Sequence, residues 1–210
     1  MTLILASASP RRYQILSLLH LPFLMVPPDI SEVMSESRSP DQEVLHLARR
    51  KAASLAPRFP GAVLIGSDTL IHLDGGKIGK PKDRDDAREI LRRLRGRTHE
   101  VITGVVILNE ADRHSFGRVE KVRVTMRAST DTEIETYVAT GDPLDKAGAY
   151  SLQGAGRGLL AGLDGDYLAA VGLPLRAVAE GLRAMGVSVP CDLDRLYRER
   201  DFLNWRTFEP

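Results

Sequence analysis

Four cations and two carboxylates stand where motif, periodicity or turn chemistry makes each a candidate for binding or chemistry. Ser7-Ala8-Ser9-Pro10-Arg11-Arg12 directly follows a short apolar run, Leu3 to Ala6. A strand, a small-residue turn and a helix start present free backbone N–H groups and the positive end of the helix dipole. Two arginines oppose that dipole unless an anion sits between them, and guanidinium forks match phosphate oxygens. The plainer reading is a capped helix with two solvated arginines. Lys51 lies seven residues after Val44 and three after Ala48, on or beside an apolar stripe. A lysine there either snorkels to water or turns its ammonium into a polar cleft. In Gly79-Lys80-Pro81 the lysine is either held out as a point charge or simply solvated in a loop.

The carboxylates are Asp68 and Glu32. Ser67-Asp68-Thr69 is expected at the end of a strand from Val63 to Gly66, where ligands collect in α/β folds. Asp68 there is a candidate base or metal ligand, or else a turn aspartate capping its own backbone. With Glu32, in the loop after a second strand, it could offer oxygens to a magnesium ion that shares its coordination with substrate phosphates. The five histidines are scattered, without zinc spacing. No Gly-x-x-x-x-Gly-Lys-Ser/Thr loop and no Gly-x-Gly-x-x-Gly opening a helix is present, which disfavours a kinase, a P-loop ATPase and a dinucleotide-binding dehydrogenase. Gly154-Ala155-Gly156-Arg157-Gly158 is weak support for a lid or phosphate-approach loop.

The elements that must position these residues follow from periodicity and caps. A strand over Leu3 to Ala6 leads to a helix capped by Ser9 and running to about Leu19, then a strand from Phe23 to Val26 and a polar, mobile loop over Ile30 to Arg38. Ser39-Pro40-Asp41-Gln42 is a capping box opening a helix to about Leu55. Leu70 to Ile78 reads as a hairpin turning at Asp74-Gly75-Gly76, and Asp83 to Leu94 as a charged amphipathic helix. Thr98 to Leu108 and Arg118 to Arg127 form a long strand pair. Thr130-Asp131-Thr132-Glu133 is a second capping box, for a helix to Thr140. Asp145 to Gly172 has no clear pattern, and Leu175 to Met185 is the last clear helix. Residues 191–210 mix both charges with Phe202, Trp205 and Phe208 and read as a tail on the surface. Strands and helices interleave with hairpins among them, so the class is α/β with a mixed sheet. One domain over 1–190 and a tail over 191–210 are expected.

Composition narrows the function classes. The chain has 210 residues, 43% apolar and 27% charged, with Lys plus Arg 29 against Asp plus Glu 28. A net charge of +1 argues against a nucleic-acid-binding protein and an acidic tail, but says nothing of a local basic pocket. The single cysteine, Cys191, fits a reducing cytoplasm. The first ten residues make a poor signal peptide, and the longest apolar stretch, Ile15 to Val26, is too short to span a bilayer. A soluble, cytoplasmic protein is expected.

The ordered motifs resemble the Maf family of nucleotide pyrophosphatases. They are Ser7-Ala-Ser-Pro-Arg-Arg12, Lys51, Gly66-Ser-Asp-Thr69, Gly79-Lys-Pro81, Gly96-Arg-Thr-His-Glu-Val-Ile-Thr-Gly104, Asp145-Lys-Ala-Gly-Ala-Tyr-Ser-Leu-Gln-Gly154 and Gly172-Leu-Pro-Leu175. The resemblance implies a fold like that of inosine triphosphate pyrophosphatases, a long curved mixed sheet with two lobes around a cleft. It implies hydrolysis of a nucleoside triphosphate to monophosphate and pyrophosphate with a divalent metal, magnesium or manganese, often in a homodimer. Asp68 takes the catalytic carboxylate position, with Lys51, Lys80 and Glu32 lining the phosphate site and Glu32 and Asp68 as metal ligands. Ser7 and Arg12 fall in the substrate-binding motif. Arg11, Thr69 and Gln153 match the positions that distinguish base preference, and they sit with the dTTP and UTP group rather than with the sister group acting on 7-methyl-GTP. Ser151-Leu152 and Ala169-Ala170 depart mildly from the family's wording, and the segment after Met185 lies outside the match. The other reading is a nucleotide-binding regulator of septum formation with slow or incidental hydrolysis.

Overall fold

Among the described residues, seven strands make one mixed sheet in the order β2-β1-β3-β5-β6-β7, with β4 paired to β3. The computed structural model describes residues 2–109 and 114–208. The strands are β1 (Leu3–Ala6), β2 (Leu24–Val26), β3 (Val63–Leu73), β4 (Gly76–Ile78), β5 (Thr98–Asn109), β6 (His114–Met126) and β7 (Leu160–Asp164). The helices are α1 (Pro10–Ser17), α2 (Pro40–Ala53), α3 (Arg84–Leu94), α4 (Asp131–Ala139), α5 (Tyr167–Val171), α6 (Leu175–Ala184) and α7 (Leu193–Glu199). β1 runs parallel to β2 and β3, and the remaining pairs are antiparallel. The mixed α/β sheet is the one expected.

Period-two alternation along β3 divides the core. Leu64 joins Ile4, Ala6, Val106 and Leu108 beneath Ala48 and Ala52 of α2. Ile65 and Ile71 face the other way, into a larger core with Leu91 of α3, Val178 of α6 and Ile15 of α1. Burial on both faces accounts for the nearly continuous apolar run of this strand. The capping boxes form at Ser39 with Gln42 and at Thr130 with Glu133. Asp74 and Gly75 both take positive φ, 51° and 77°, as a two-residue hairpin turn between twisted strands requires.

Two expectations are corrected. Ser67-Asp68-Thr69 does not end a strand: β3 continues through it to Leu73, because Ser67 donates to Gly104 O at 2.9 Å and Thr69 bonds Thr103 at 3.0 Å across the sheet. Ser9 occupies the cap position of α1, but its side chain makes no cap bond, and its own N–H donates to Ser7 Oγ at 3.0 Å. The segment after residue 190 packs against the surface of the domain, mostly exposed or half-buried but with structure of its own. It forms α7 and buries Leu193, Trp205 and Phe208. A 3-10 turn over Trp205–Phe208 repeats every three residues, so Trp205 and Phe208 share one side. The unassigned stretch from Asp145 to Gly172 resolves into short 3-10 turns, β7 and α5.

Candidate active site

α2 lies against the sheet at two glycines. A Cβ at Gly66 would come within 2.0 Å of Ala48 O, and one at Gly104 within 2.8 Å of the Val44 carbonyl carbon. Gly104 pairs with Asp68 across β3 and β5, and Asp68 follows Gly66 by two residues, so all three share the face under α2. Close seating brings Lys51 onto that face. Its Nζ donates to Asp68 Oδ1 at 2.6 Å and pairs with Glu32 Oε1 at 2.7 Å. Lys51 is only 3% exposed, which decides between the two readings of it: the ammonium points into a polar cleft.

Glu32 arrives on the irregular segment between β2 and α2, which is tied down at several points. Ser35 N–H donates to Glu43 Oε2 at 3.1 Å, Lys77 Nζ donates to Ser35 O and Arg38 O, and Arg50 donates to Ser31 O at 3.0 Å. The second Glu32 oxygen accepts from Lys80 Nζ at 3.0 Å. Burial works against the charge on Glu32, yet the two lysines outweigh it and hold the carboxyl down at about 2. For Asp68 the balance is reversed: burial pushes its carboxyl up, against the pull of Lys51 and Arg12.

α1 supplies the arginines. Arg12 donates through Nε to Gly172 O at 2.9 Å and through a terminal nitrogen to Thr69 Oγ1 at 3.4 Å. Thr103 spends its proton on Ala169 O at 2.8 Å, so Thr69 donates to Thr103 and a polarised chain runs from Arg12 into the sheet. Burial lowers the Arg12 guanidinium from its usual value. Arg11 is held loosely, 3.9 Å from Asp145.

All nine residues singled out in the sequence line one cleft of about 630 Å³: Ser7, Arg11, Arg12, Glu32, Lys51, Asp68, Thr69, Lys80 and Gln153. Gln153 is buried there with its Nε2 lacking a hydrogen bond. Sequence reasoning did not single out Lys146 and Tyr150, which also line the cleft. Both fall inside a quoted motif, but only the folded turn reveals that Lys146 is neutralised by Asp142 and Asp145 and that Tyr150 bonds the buried His99 at 2.7 Å.

The donor set bears on the expected metal. Among the described residues no group of three or more His, Cys, Asp or Glu gathers to cage an ion. Glu32 and Asp68 both accept from Lys51, so an ion held by them would use their remaining lone pairs and complete its shell with water and phosphate, as magnesium can.

Sheet and cleft together define an α/β protein whose cleft gathers Arg11, Arg12, Lys51 and Lys80 around a buried carboxylate. The chain matches the family described as Maf-like protein over residues 2–185, and it belongs to that family. It is 45% identical over 181 residues to the dTTP/UTP pyrophosphatase of Alkaliphilus metalliredigens, covering 86% of this chain and 94% of the relative. It is 44% identical over 188 residues to the protein of that name from Dictyoglomus turgidum, covering 89% and 97%. Among solved structures it is similar to the Staphylococcus aureus Ham1 protein, with TM-score 0.44, 14% identity, and coverage of 61% of this chain and 73% of that one. Among the described residues no helix is long and apolar enough to cross a membrane.

Proposed function

We propose that the protein hydrolyses the α–β phosphoanhydride of dTTP or UTP, or of a modified pyrimidine nucleotide, to the monophosphate and pyrophosphate. The observation that carries this reading is the buried Asp68, gripped by Lys51 inside a cleft walled by Arg11, Arg12 and Lys80. Membership of the Maf family and relatives named dTTP/UTP pyrophosphatase support it.

A water oxygen attacks the α-phosphorus while the bond to the bridging oxygen breaks, and pyrophosphate leaves with the electron pair. Lys51 holds Asp68 Oδ1, so the other carboxylate oxygen orients the water and takes its proton. Burial raises the basicity of that carboxylate, which favours the transfer. Arg11, Arg12 and Lys80, with the first-turn amides of α1, offset charge on the phosphates. Glu32 and Asp68 would hold a magnesium or manganese ion, which when bound supplies further positive charge and a more acidic water. Gln153 offers a donor and an acceptor to a pyrimidine edge.

The test incubates pure protein with magnesium and a panel of triphosphates. UMP or dTMP with pyrophosphate is expected; a diphosphate with inorganic phosphate would mean that another bond is cut. Asp68→Asn should lower kcat by about 10²–10⁴-fold while nucleotide binding persists. Near-normal turnover by the folded variant would overturn the role of Asp68. A regulator would bind tightly without turnover, and nothing in the cleft favours that outcome.

A homodimer and a cytoplasmic setting belong to the same reading. β2 is an edge strand whose Leu24 and Met25 are exposed near the Tyr13–Phe23 ring pair, a site where a second copy could pair. Light scattering on the wild type and on Leu24→Lys checks it. The lone free Cys191 fits a reducing compartment, which cell fractionation would test.

A further inference from the structure

Residues 191–208 lie outside the family match, which ends at residue 185, yet they pack behind the turn that carries Gln153. Leu203 O accepts from the Tyr167 hydroxyl at 2.7 Å, and Asn204 Nδ2 donates to Leu152 O at 3.5 Å, one residue before Gln153. Arg157, in the turn Gly154–Leu159, donates to Thr207 Oγ1 at 3.2 Å and to Thr207 O at 3.1 Å. Its guanidinium lies 4.3 Å from the Phe208 ring centre. Tyr167, beside Gln153, stacks on Trp205 with ring centres 5.9 Å apart and meets Phe208 at 5.4 Å. The turn itself has little regular structure to hold it, and Gly154 has a positive φ of 58°. Gln153, set against Tyr167, thus has the C-terminal segment for its back wall.

We propose that this C-terminal segment is a positioning element: it holds the 152–159 turn so that the Gln153 amide stands fixed in the cleft, and thereby sets discrimination between pyrimidine and purine nucleotides. The inference rests on Gln153 facing the base. Asn204, Thr207 and Phe208 act through the turn, without touching substrate. A loosened turn leaves the Lys51–Asp68 pair intact, so the loss falls on binding and base choice rather than on the chemical step.

The test compares the full chain with Phe208→Ala, which removes the wall on Arg157 and Tyr167, and with Phe208→Leu, which keeps apolar volume. Phe208→Ala should raise KM for UTP about tenfold, the equivalent of one hydrogen bond, with kcat within about twofold. It should also narrow the preference for UTP over GTP, and Phe208→Leu should restore most of both. Unchanged KM and preference in folded Phe208→Ala would overturn the proposal. So would a fall in kcat alone. If Phe208→Ala fails to fold, Asn204→Asp, which removes the donor to Leu152 O, decides the same readouts. Should the wild type turn over no triphosphate, the reading of the site fails separately, and amide exchange decides the placement. Faster exchange confined to 152–160 in either variant supports it, and unchanged exchange there overturns it.

Discussion

Lys51 is the residue on which the cleft depends, because its ammonium satisfies Asp68 and Glu32 at once, from two parts of the chain far apart in sequence. Removing one partner from a buried pair of this kind costs about 3–5 kcal/mol by leaving charge uncompensated. A second buried group makes the cleft wall sensitive to acid. His99 is 3% exposed, bonded to Tyr150, and burial holds its imidazole down at about 4 against 6.5 for a free one. The folded protein therefore refuses a proton that the unfolded chain accepts. The contribution is fully present above pH 6.5 and is lost as pH falls to and through about 4, a difference of about 3 kcal/mol. Urea unfolding from pH 7.5 to 4 should show wild type losing that much more than His99→Gln; parallel curves would exclude the mechanism.

Among the elements, α2 and β3 set the geometry. Their approach is closer than any side chain at 66 permits, so Gly66→Ala must push α2 off the sheet and carry Lys51 with it. We expect a loss of about 1–3 kcal/mol in stability and a disproportionate fall in kcat, checked by denaturation and kinetics. The seating of α2 was legible through its capping box and apolar stripe, and the cleft residues through ordered motifs. β3 was legible as two pieces, Val63 to Gly66 and the hairpin arm from Leu70, but not as one strand through the residues between them. Ser67, Asp68 and Thr69 look like a turn because their hydrogen-bond partners, Gly104 O, Lys51 and Thr103, are distant in sequence and leave no local pattern. The 145–172 stretch escaped for a related reason: its short 3-10 turns have no period long enough to recognise.

At the scale of the molecule, the chain's end is structural. Abundant charges hid the three-residue spacing of Phe202, Trp205 and Phe208, and the salt links those charges make, such as Arg195 with Glu199, are exposed. The aromatic cluster is the stronger term. Trp205→Ala should cost about 3–5 kcal/mol, a fall of about 6–20 °C in Tm for a chain of this size. Calorimetry showing a shift under 1 °C would mean that the segment merely rests on the surface. Near-balanced charge also takes on a spatial meaning: Arg11, Arg12, Lys51 and Lys80 converge on one cleft while many opposite pairs are spread outside it.

β3 is bordered unevenly. β5 pairs with it from Leu64 to His72 on one edge, whereas on the other β1 reaches only from Val63 to Gly66 and β4 only from Ile71 to Leu73. The strand is a beam clamped on both sides near its ends and on one side at its middle, so any flexing of it would centre there. Asp68 sits at that fulcrum. The β1–α1 wall and the β4 wall leading to Lys80 would swing about the carboxylate, and α2, locked over Gly66 and Gly104, would keep Lys51 at the pivot with it. Displacement of either wall would then leave the charged pair at the centre of the cleft undisturbed.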